Sequence, residues 1–582
     1  MSGFLITKII YSEINSGIFD IWNFYERRAR RILPAILAVY LAVMIGSFLI
    51  LMPSETAQQA RNAISSMAFV SNIYFYEKFD YFDASSEFNA LLHTWSLSVE
   101  EQFYLFFPPL LFVTHKFFPK AVKPAIVLVA ILTLVQSQMQ IGSDPSAVFY
   151  LVHYRAWELM IGSILAIGLI PVTASPVISN LVSAVGLLSI VGSALLLDRT
   201  SQFPGLAAAP ACLGAAAIIW AGTKYEPAVA KLLALSPAQF FGRISYSLYL
   251  WHWPIWVLGS QLFEPKNTVH RLIYISIAIL CATISYYVVE QPFRRRTPSV
   301  SAKRVVFSSS VSLAIMTVAA LALPSLSQAF WRVSARVEEV ASFINYRADQ
   351  NFRVGKCFLT SRFNKLSDFH FDDCLAMASD KPNYLLLGDS HAAHFYPGLA
   401  SRSEFNLLQA TASGCRPIDT SFGEKRCVSL FSYITDEFLP THKVDTVIIS
   451  ARWQEGDMTG LAREIAKIEK FVPNVIVFGP IAEYDKALPR VLAQSLYLND
   501  PELPAHHLIA VRKAVDADLA KGVPGTGAQY VSVYDTLCPA GSCEHWTADG
   551  NPIQSDYGHL TTAGSMEIVR RMQPVLLAGF AP

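Results

Sequence analysis

Two stretches, YLLLGDSHAAH at Tyr384–His394 and DYGHLTTAG at Asp556–Gly564, decide how the second half of this 582-residue chain reads. The apolar run Tyr384–Leu387 stops at Gly388-Asp389-Ser390. That is how a buried parallel strand delivers a residue to a turn at its carboxyl end, where doubly wound sheets build their sites. Asp556 and His559 stand three residues apart, just ahead of a helical pattern. A serine hydroxyl is a poor nucleophile at neutral pH. It needs an imidazole to take its proton and a carboxylate to hold the imidazole's tautomer. Ser390, His559 and Asp556 supply all three as candidate catalytic residues. Around them, strand-like runs at 384–387, 444–450, 474–478 and 529–534 alternate with helical patterns. The expectation is an α/β domain with a three-layer, doubly wound sheet.

The first half is different. The chain is 53% hydrophobic and 16% charged, against about 45–50% and about 25% for ordinary soluble domains. The apolar excess lies before residue 325. A span needs about 20 mostly apolar residues. Runs at 33–52, 97–115, 123–141, 149–170, 180–198, 206–222, 244–262, 271–290 and 305–324 qualify. The shorter, polar-interrupted run 61–79 reads as a helix lying in an outer loop. The N-terminal SGFLITKII is a short apolar fragment with no cleavage pattern. Arg27, Arg28, Arg30 and Arg31 precede the first span, and Arg294, Arg295, Arg296, Lys303 and Arg304 precede the last. Both clusters should face the cytoplasm, and eight spans between them satisfy that. The last span then carries the second domain outside. A net charge of +1 gives no reason to expect nucleic acid.

Six cysteines, Cys357, Cys374, Cys415, Cys427, Cys538 and Cys543, fall in the second half. An even number in a membrane-tethered domain suggests disulfides and an oxidising compartment. Nearest-neighbour pairing is preferred, with unpaired core thiols as the alternative. Cys538, Cys543 and His545 make an incomplete zinc set, and no metal is expected. Ionisable residues within spans are costly and usually functional. Here they are Glu100, Glu101, His153, Arg155, Glu158 and His252, with His93 just outside a span. They read either as a polar cavity in the bundle or as interhelical clasps, such as Arg155 with a glutamate.

SGFLIT (2–7), FYERRARRILP (24–34), LLHTWSLSVEEQFYLFFP (91–108), YRAWELMIG (154–162), GRISYSLYLWHWP (242–254) and VVEQPFRRR (288–296) together resemble the acyltransferase-3 family of bacterial membrane O-acyltransferases. GDSH and DxxHLTxxG extend the resemblance to the form fused to a C-terminal SGNH domain. The resemblance implies a multi-span helical membrane bundle at 1–325, a linker at 326–355 and an SGNH-hydrolase-like domain at 356–582. It implies an inner-membrane protein with its C-terminal domain in the periplasm. The activity implied is transfer of an acyl group, commonly acetyl, from cytoplasmic acyl-CoA to an extracytoplasmic glycan such as lipopolysaccharide O-antigen. No bound cofactor is implied beyond the acyl-CoA donor. Arg28 and Arg31 match the family's arginine pair linked to acyl-CoA, although a basic span end is also a topology anchor. Gly414 matches the second oxyanion position. The third block departs from the family's Gly-x-Asn: it reads SARWQ (450–454), leaving either Arg452 as the substitute donor or the Ser390 and Gly414 backbone N–H groups to carry the oxyanion. The family also carries two spans ahead of SGFLIT, the first with an Arg and a His regarded as catalytic. The expectation is therefore that the gene start is misplaced and that the chain as given transfers little from the cytoplasmic donor. A transporter-like bundle tethered to an independent carbohydrate esterase is the alternative.

Overall fold

Each of the nine expected spans falls on helix. The computed structural model describes residues 2–78, 89–172, 175–197, 201–263, 267–295, 300–418 and 424–576. Arg296, residue 79, residue 198 and residues 577–582 of the expectations above lie outside the described residues. The chain divides into two units, Met1–Phe330 and Trp331–Pro582.

In the first unit, Ile21–Ile50, Pro119–Gln140, Pro176–Leu196, Thr268–Arg294 and Ala302–Trp331 are long and apolar enough to cross a membrane by length and composition alone. Local chemistry starts them. The Asp20 carboxylate caps Ile21–Ile50 by accepting from the Asn23 N–H at 2.7 Å, and Ser175 followed by Pro176 does the same for Pro176–Leu196. The other expected spans lie on Thr94–Phe117, Val152–Ala166, Ala209–Ala221 and Ser236–Leu262. Run 149–170 is shortened because the chain turns extended at Leu151, separating Pro145–Tyr150 from a 15-residue helix.

Two N-terminal expectations change. SGFLITKIIYSEIN is a helix, Ser2–Asn15, and its Gly3 backs directly onto the Leu159 carbonyl of the Val152–Ala166 helix. Run 61–79 falls on two helices rather than one: Pro53–Met67, which is largely buried, and Ser71–Lys78, which buries Ser71, Asn72 and Phe75. Their polar residues made the run look peripheral, but several of its serines are paired inside. Ser66 bonds Thr94 at 2.7 Å and Ser71 bonds Ser98 at 2.7 Å.

Span ends expected on one side meet one another. The Tyr246 hydroxyl donates to the Ile32 carbonyl at 3.0 Å, and Arg30 reaches the Arg295 carbonyl at 3.3 Å. At the other ends, the Trp253 indole donates to the Asn89 carbonyl at 2.8 Å. The two arginine clusters therefore share one end, as the charge rule requires.

In the second unit six parallel strands, β1 (Phe358–Leu359), β2 (Asn383–Gly388), β3 (Asn406–Ala412), β4 (Thr446–Ser450), β5 (Asn474–Phe478) and β6 (Gln529–Val531), lie in the order β1-β3-β2-β4-β5-β6. Period-two alternation puts Leu385, Leu387, Val447, Ile449, Val475 and Val477 into one core with Leu461, Ile465, Val515 and Leu519 of the helices Met458–Ile468 and Val511–Gly522. Leu386, Ile448 and Phe478 are buried on the other face. There Phe395 packs on Phe478, and the helix Thr562–Leu576 packs on Tyr396–Ala400. This is the expected three-layer domain.

Strand β3 was missed because Gln409 and Thr411 interrupt its apolar run. The buried Gln409 amide nitrogen donates to the Phe352 carbonyl at 3.0 Å and to the Thr411 hydroxyl at 2.8 Å. Helices also occupy the expected linker or extension at 326–355. Ala302–Trp331 continues through its start, and Ala335–Ser342 packs on the second unit's Leu488–Leu498 helix.

The disulfides are Cys357–Cys374, Cys415–Cys427 and Cys538–Cys543, the nearest-neighbour pairing. This closes both the free-thiol and the zinc alternatives. Each bridge closes a short loop and should contribute about 2–4 kcal/mol. Cys415→Ser with Cys427→Ser should lower the melting temperature and reduce acyl turnover together, because this bridge follows Gly414 directly. Unchanged melting by calorimetry would show that it adds no stability.

Candidate active site

The carboxyl edge of the sheet collects the site. Gly388 ends β2, and its register partners are Thr411 of β3 and Ser450 of β4. The loops after these three strands thus emerge side by side, carrying Ser390, Gly414 and Arg452. The chain order reverses about β2, so the site sits at the switch point. Gly388 has φ +146°, and a Cβ there would lie 1.7 Å from the Ser450 carbonyl oxygen. Only glycine lets β2 turn this close to β4.

Ser390, His559 and Asp556 come together as expected. His559 Nε2 lies 2.9 Å from Ser390 Oγ, and His559 Nδ1 lies 2.7 Å from Asp556 Oδ2. Asp556 Oδ1 also accepts from the Gly558 and His559 N–H groups at 2.9 and 2.7 Å. Burial alone would raise the Asp556 carboxyl. The His559 charge, its hydrogen bond and the two amides outweigh that and hold the carboxyl below the usual range. Asp556 is thus kept ionised as the orienting group of a nucleophile–base pair.

Asp389 does a different job. Its carboxylate accepts from the His391 N–H at 2.7 Å and the Arg452 N–H at 3.0 Å, tying the Ser390 turn to the loop after β4. Burial pushes it up to about 6, against the pull of those two amides. Its ionised form is thus the costly one in the folded protein, and that cost appears as pH rises through about 6.

His391 and His394 are buried beside the base, with ring centroids 4.8 and 6.0 Å from His559. Burial, then the His559 charge, holds both far below the ordinary imidazole range, so they stay neutral.

Arg452 is brought to the site, but its Nε and Nη2 are used on Glu483, with Nη2 2.8 Å from Oε2. Its guanidinium lies over the Tyr557 ring at 4.5 Å. The structure therefore shows Arg452 holding a loop, with part of its donor set spent, rather than standing free as an oxyanion donor. Glu483 is 1% exposed and also faces Arg512 at 3.6 Å. Sequence reading passed over Glu483, although a glutamate in GPIAEYD just past β5 was a signal. Gly414 adopts φ +70° in the exposed turn after β3. Among the described residues, no hydrogen bond engages the backbone N–H of Ser390 or of Gly414.

In the first unit the ionisable residues make three sets of contacts. Glu100 accepts from Ser2 at 3.0 Å and from Tyr104 at 3.3 Å, with Glu101 beside it in sequence. His93 is buried against Tyr249 and His252, at 5.3 and 5.6 Å between ring centroids. Arg155 pairs with Glu158 one helical turn away, at 2.9 Å through both Nε and Nη2, and sits over Trp95 at 5.0 Å. That clasp lies within one helix, which corrects the interhelical version. Arg28 and Arg31 line a 190 Å³ cleft with Glu26 and Arg294.

A three-layer domain with a serine, a histidine and a carboxylate in line at a sheet's switch point has the arrangement of a candidate acyl-handling site. The family comparisons agree. An acyltransferase domain matches residues 1–290, and an SGNH domain of the kind fused to such domains matches 356–574. The chain belongs to the acyltransferase-3 proteins that carry a fused SGNH domain.

Among curated relatives, the O-acetyltransferase OatA of Staphylococcus aureus is 32% identical over 311 residues, 51% of each chain. The peptidoglycan O-acetyltransferase OatA of Listeria monocytogenes is 30% identical over 313 residues, 51% of this chain and 50% of the relative. The putative peptidoglycan O-acetyltransferase YrhL of Bacillus subtilis is 29% identical over 313 residues, 50% of this chain and 49% of the relative. This chain spans about half the length of the curated relatives it matches. Among solved structures, the periplasmic domain of a Salmonella ser. Paratyphi A lipopolysaccharide acetyltransferase aligns with TM-score 0.36 and 22% identity. That alignment covers 42% of this chain and 98% of the Salmonella domain.

Proposed function

We propose that this chain is an O-acyltransferase that passes an acyl group, most simply acetyl, to a hydroxyl of an extracytoplasmic glycan through Ser390. The observation that carries this reading is the Ser390–His559–Asp556 relay, with 2.9 and 2.7 Å links. In the first half-reaction Ser390 Oγ attacks the acyl carbonyl and its proton passes to His559 Nε2. Asp556 holds the resulting imidazolium. The tetrahedral oxyanion is met by the Ser390 and Gly414 amides. Collapse expels the donor's leaving group, which takes the proton from His559. In the second half-reaction a sugar hydroxyl gives its proton to His559, attacks the acyl-serine carbonyl, and Ser390 leaves with the proton.

Acyl-CoA is the proposed cytoplasmic donor, with Arg28 and Arg31 holding its phosphates by charge-assisted bonds. The first unit would lie in the bacterial inner membrane and the second in the periplasm. Support for this sidedness is the shared end of the two arginine clusters and the three disulfides.

The test supplies an aryl acetate as acyl donor, membranes containing the chain, and either lipopolysaccharide or peptidoglycan fragments. Acetylated glycan, with acetyl-Ser390 trapped on acid quench, is expected. Release of free acetate with no acylated glycan would instead mark a tethered esterase. Asp556→Asn should lower the rate about 10⁴-fold, because the imidazole loses its tautomer rather than its place. Wild-type single-turnover rates in that variant would remove Asp556 from the relay.

A further inference from the structure

The arginines at the shared basic end are not equivalent. Arg27 pairs with Glu13, Arg30 with Glu26 and Arg294 with Glu290. Arg243 and Arg295 make no ion pair among the described residues. They lie on different segments, the Ser236–Leu262 helix and the end of Gln291–Arg294. Even so, both line one cleft of 410 Å³ with Tyr286, Tyr287, Gln291 and Pro292. Ile244 packs on Tyr286, which keeps Arg243 beside that wall. Among the described residues this cleft contains no carboxylate, unlike the Arg28–Arg31 cleft with its Glu26. Both arginines are exposed, as are Phe241 at 45%, Phe293 at 57% and, one turn further back, Val288 at 67%.

We propose that Arg243 and Arg295 form a binding site for the phosphate of an anionic phospholipid, separate from the donor cleft. Two guanidinium forks without acidic partners suit a phosphodiester, which each can engage bidentately. Basic pockets between membrane helices hold lipid headgroups in this way. The exposed apolar residues on these same helical segments distinguish the sources of phosphate. Acyl chains gain by covering Phe241, Val288 and Phe293, whereas a nucleotide gains nothing there. The volume accommodates a glycerophosphate headgroup.

The experiment uses the full chain in detergent micelles, titrated with phosphatidylglycerol and followed by native mass spectrometry, with coenzyme A as competitor. Arg243→Gln with Arg295→Gln should weaken lipid retention about thirtyfold. Arg243→Lys with Arg295→Lys should fall between wild type and that variant, because an ammonium keeps the charge but not the bidentate fork. Coenzyme A should not displace the lipid. Equal retention by wild type and the Gln variant would overturn the site. Displacement by coenzyme A would reassign the cleft to a nucleotide phosphate and overturn the lipid. On the unmodified chain, a photoactivatable phosphatidylglycerol should label 286–295, and labelling confined to other segments would also sink the proposal.

Discussion

Replacing Ser390 by alanine is expected to lower acyl turnover on the order of 10⁶-fold, the loss typical of removing a nucleophile from a relay that acts as a unit. Its Oγ sits 2.9 Å from His559 Nε2. Ser390 is only half-buried and ends no apolar contact of the core. The melting temperature should therefore stay within about 2–4 °C of wild type, the shift about 1 kcal/mol produces in a domain of this size. Turnover of an aryl acetate and acylation of the native glycan are the two readouts. Wild-type rates on either would show that another group makes the acyl intermediate. Loss of both together with a collapsed melting temperature would point to misfolding.

The second large effect is on structure. Gly388→Ala should cost about 3 kcal/mol or more, enough to remove cooperative folding of the outer unit or displace the Ser390 turn. Two penalties coincide. The residue has φ +146°, and the new methyl would lie 1.7 Å from the Ser450 carbonyl oxygen and 3.0 Å from the Ala392 Cβ. Backbone oxygen in a central strand cannot yield as a flexible side chain would. Chemical denaturation measures the cost. A variant as stable as wild type, with normal turnover, would mean that β2 and β4 can separate at this edge without consequence.

The relay was legible because its chemistry is local in sequence. GDS follows an apolar run, and Asp556 reaches His559 within one short turn, as the 2.7 Å bond confirms. The disulfide partners were legible for a similar reason: each bridge closes a loop of 17, 12 or 5 residues. Strand β3 was not legible, because its buried Gln409 looks like a surface residue until its amide is seen bonded to Phe352 and Thr411. The helices Pro53–Met67 and Ser71–Lys78 failed in the same way. Hydropathy counts a serine as polar whether or not a second hydroxyl meets it in the interior.

Composition and periodicity by themselves determined that an apolar helical half precedes an α/β half, that the arginine clusters share a side, and which serine, histidine and aspartate could act together. These follow from one-dimensional patterns: span length, alternation and short spacing. Only the tertiary structure decided what the charged groups do. Arg452 is held by a buried Glu483 from the loop after β5, 31 residues on, so its donors are partly spent. Arg155 closes on Glu158 within its own helix, whereas Arg243 and Arg295, 52 positions apart, open onto one cleft with no acid among the described residues to neutralise them. A charge's role depends on what lies within a few ångströms of it, and for long-range pairs that distance exists only after folding.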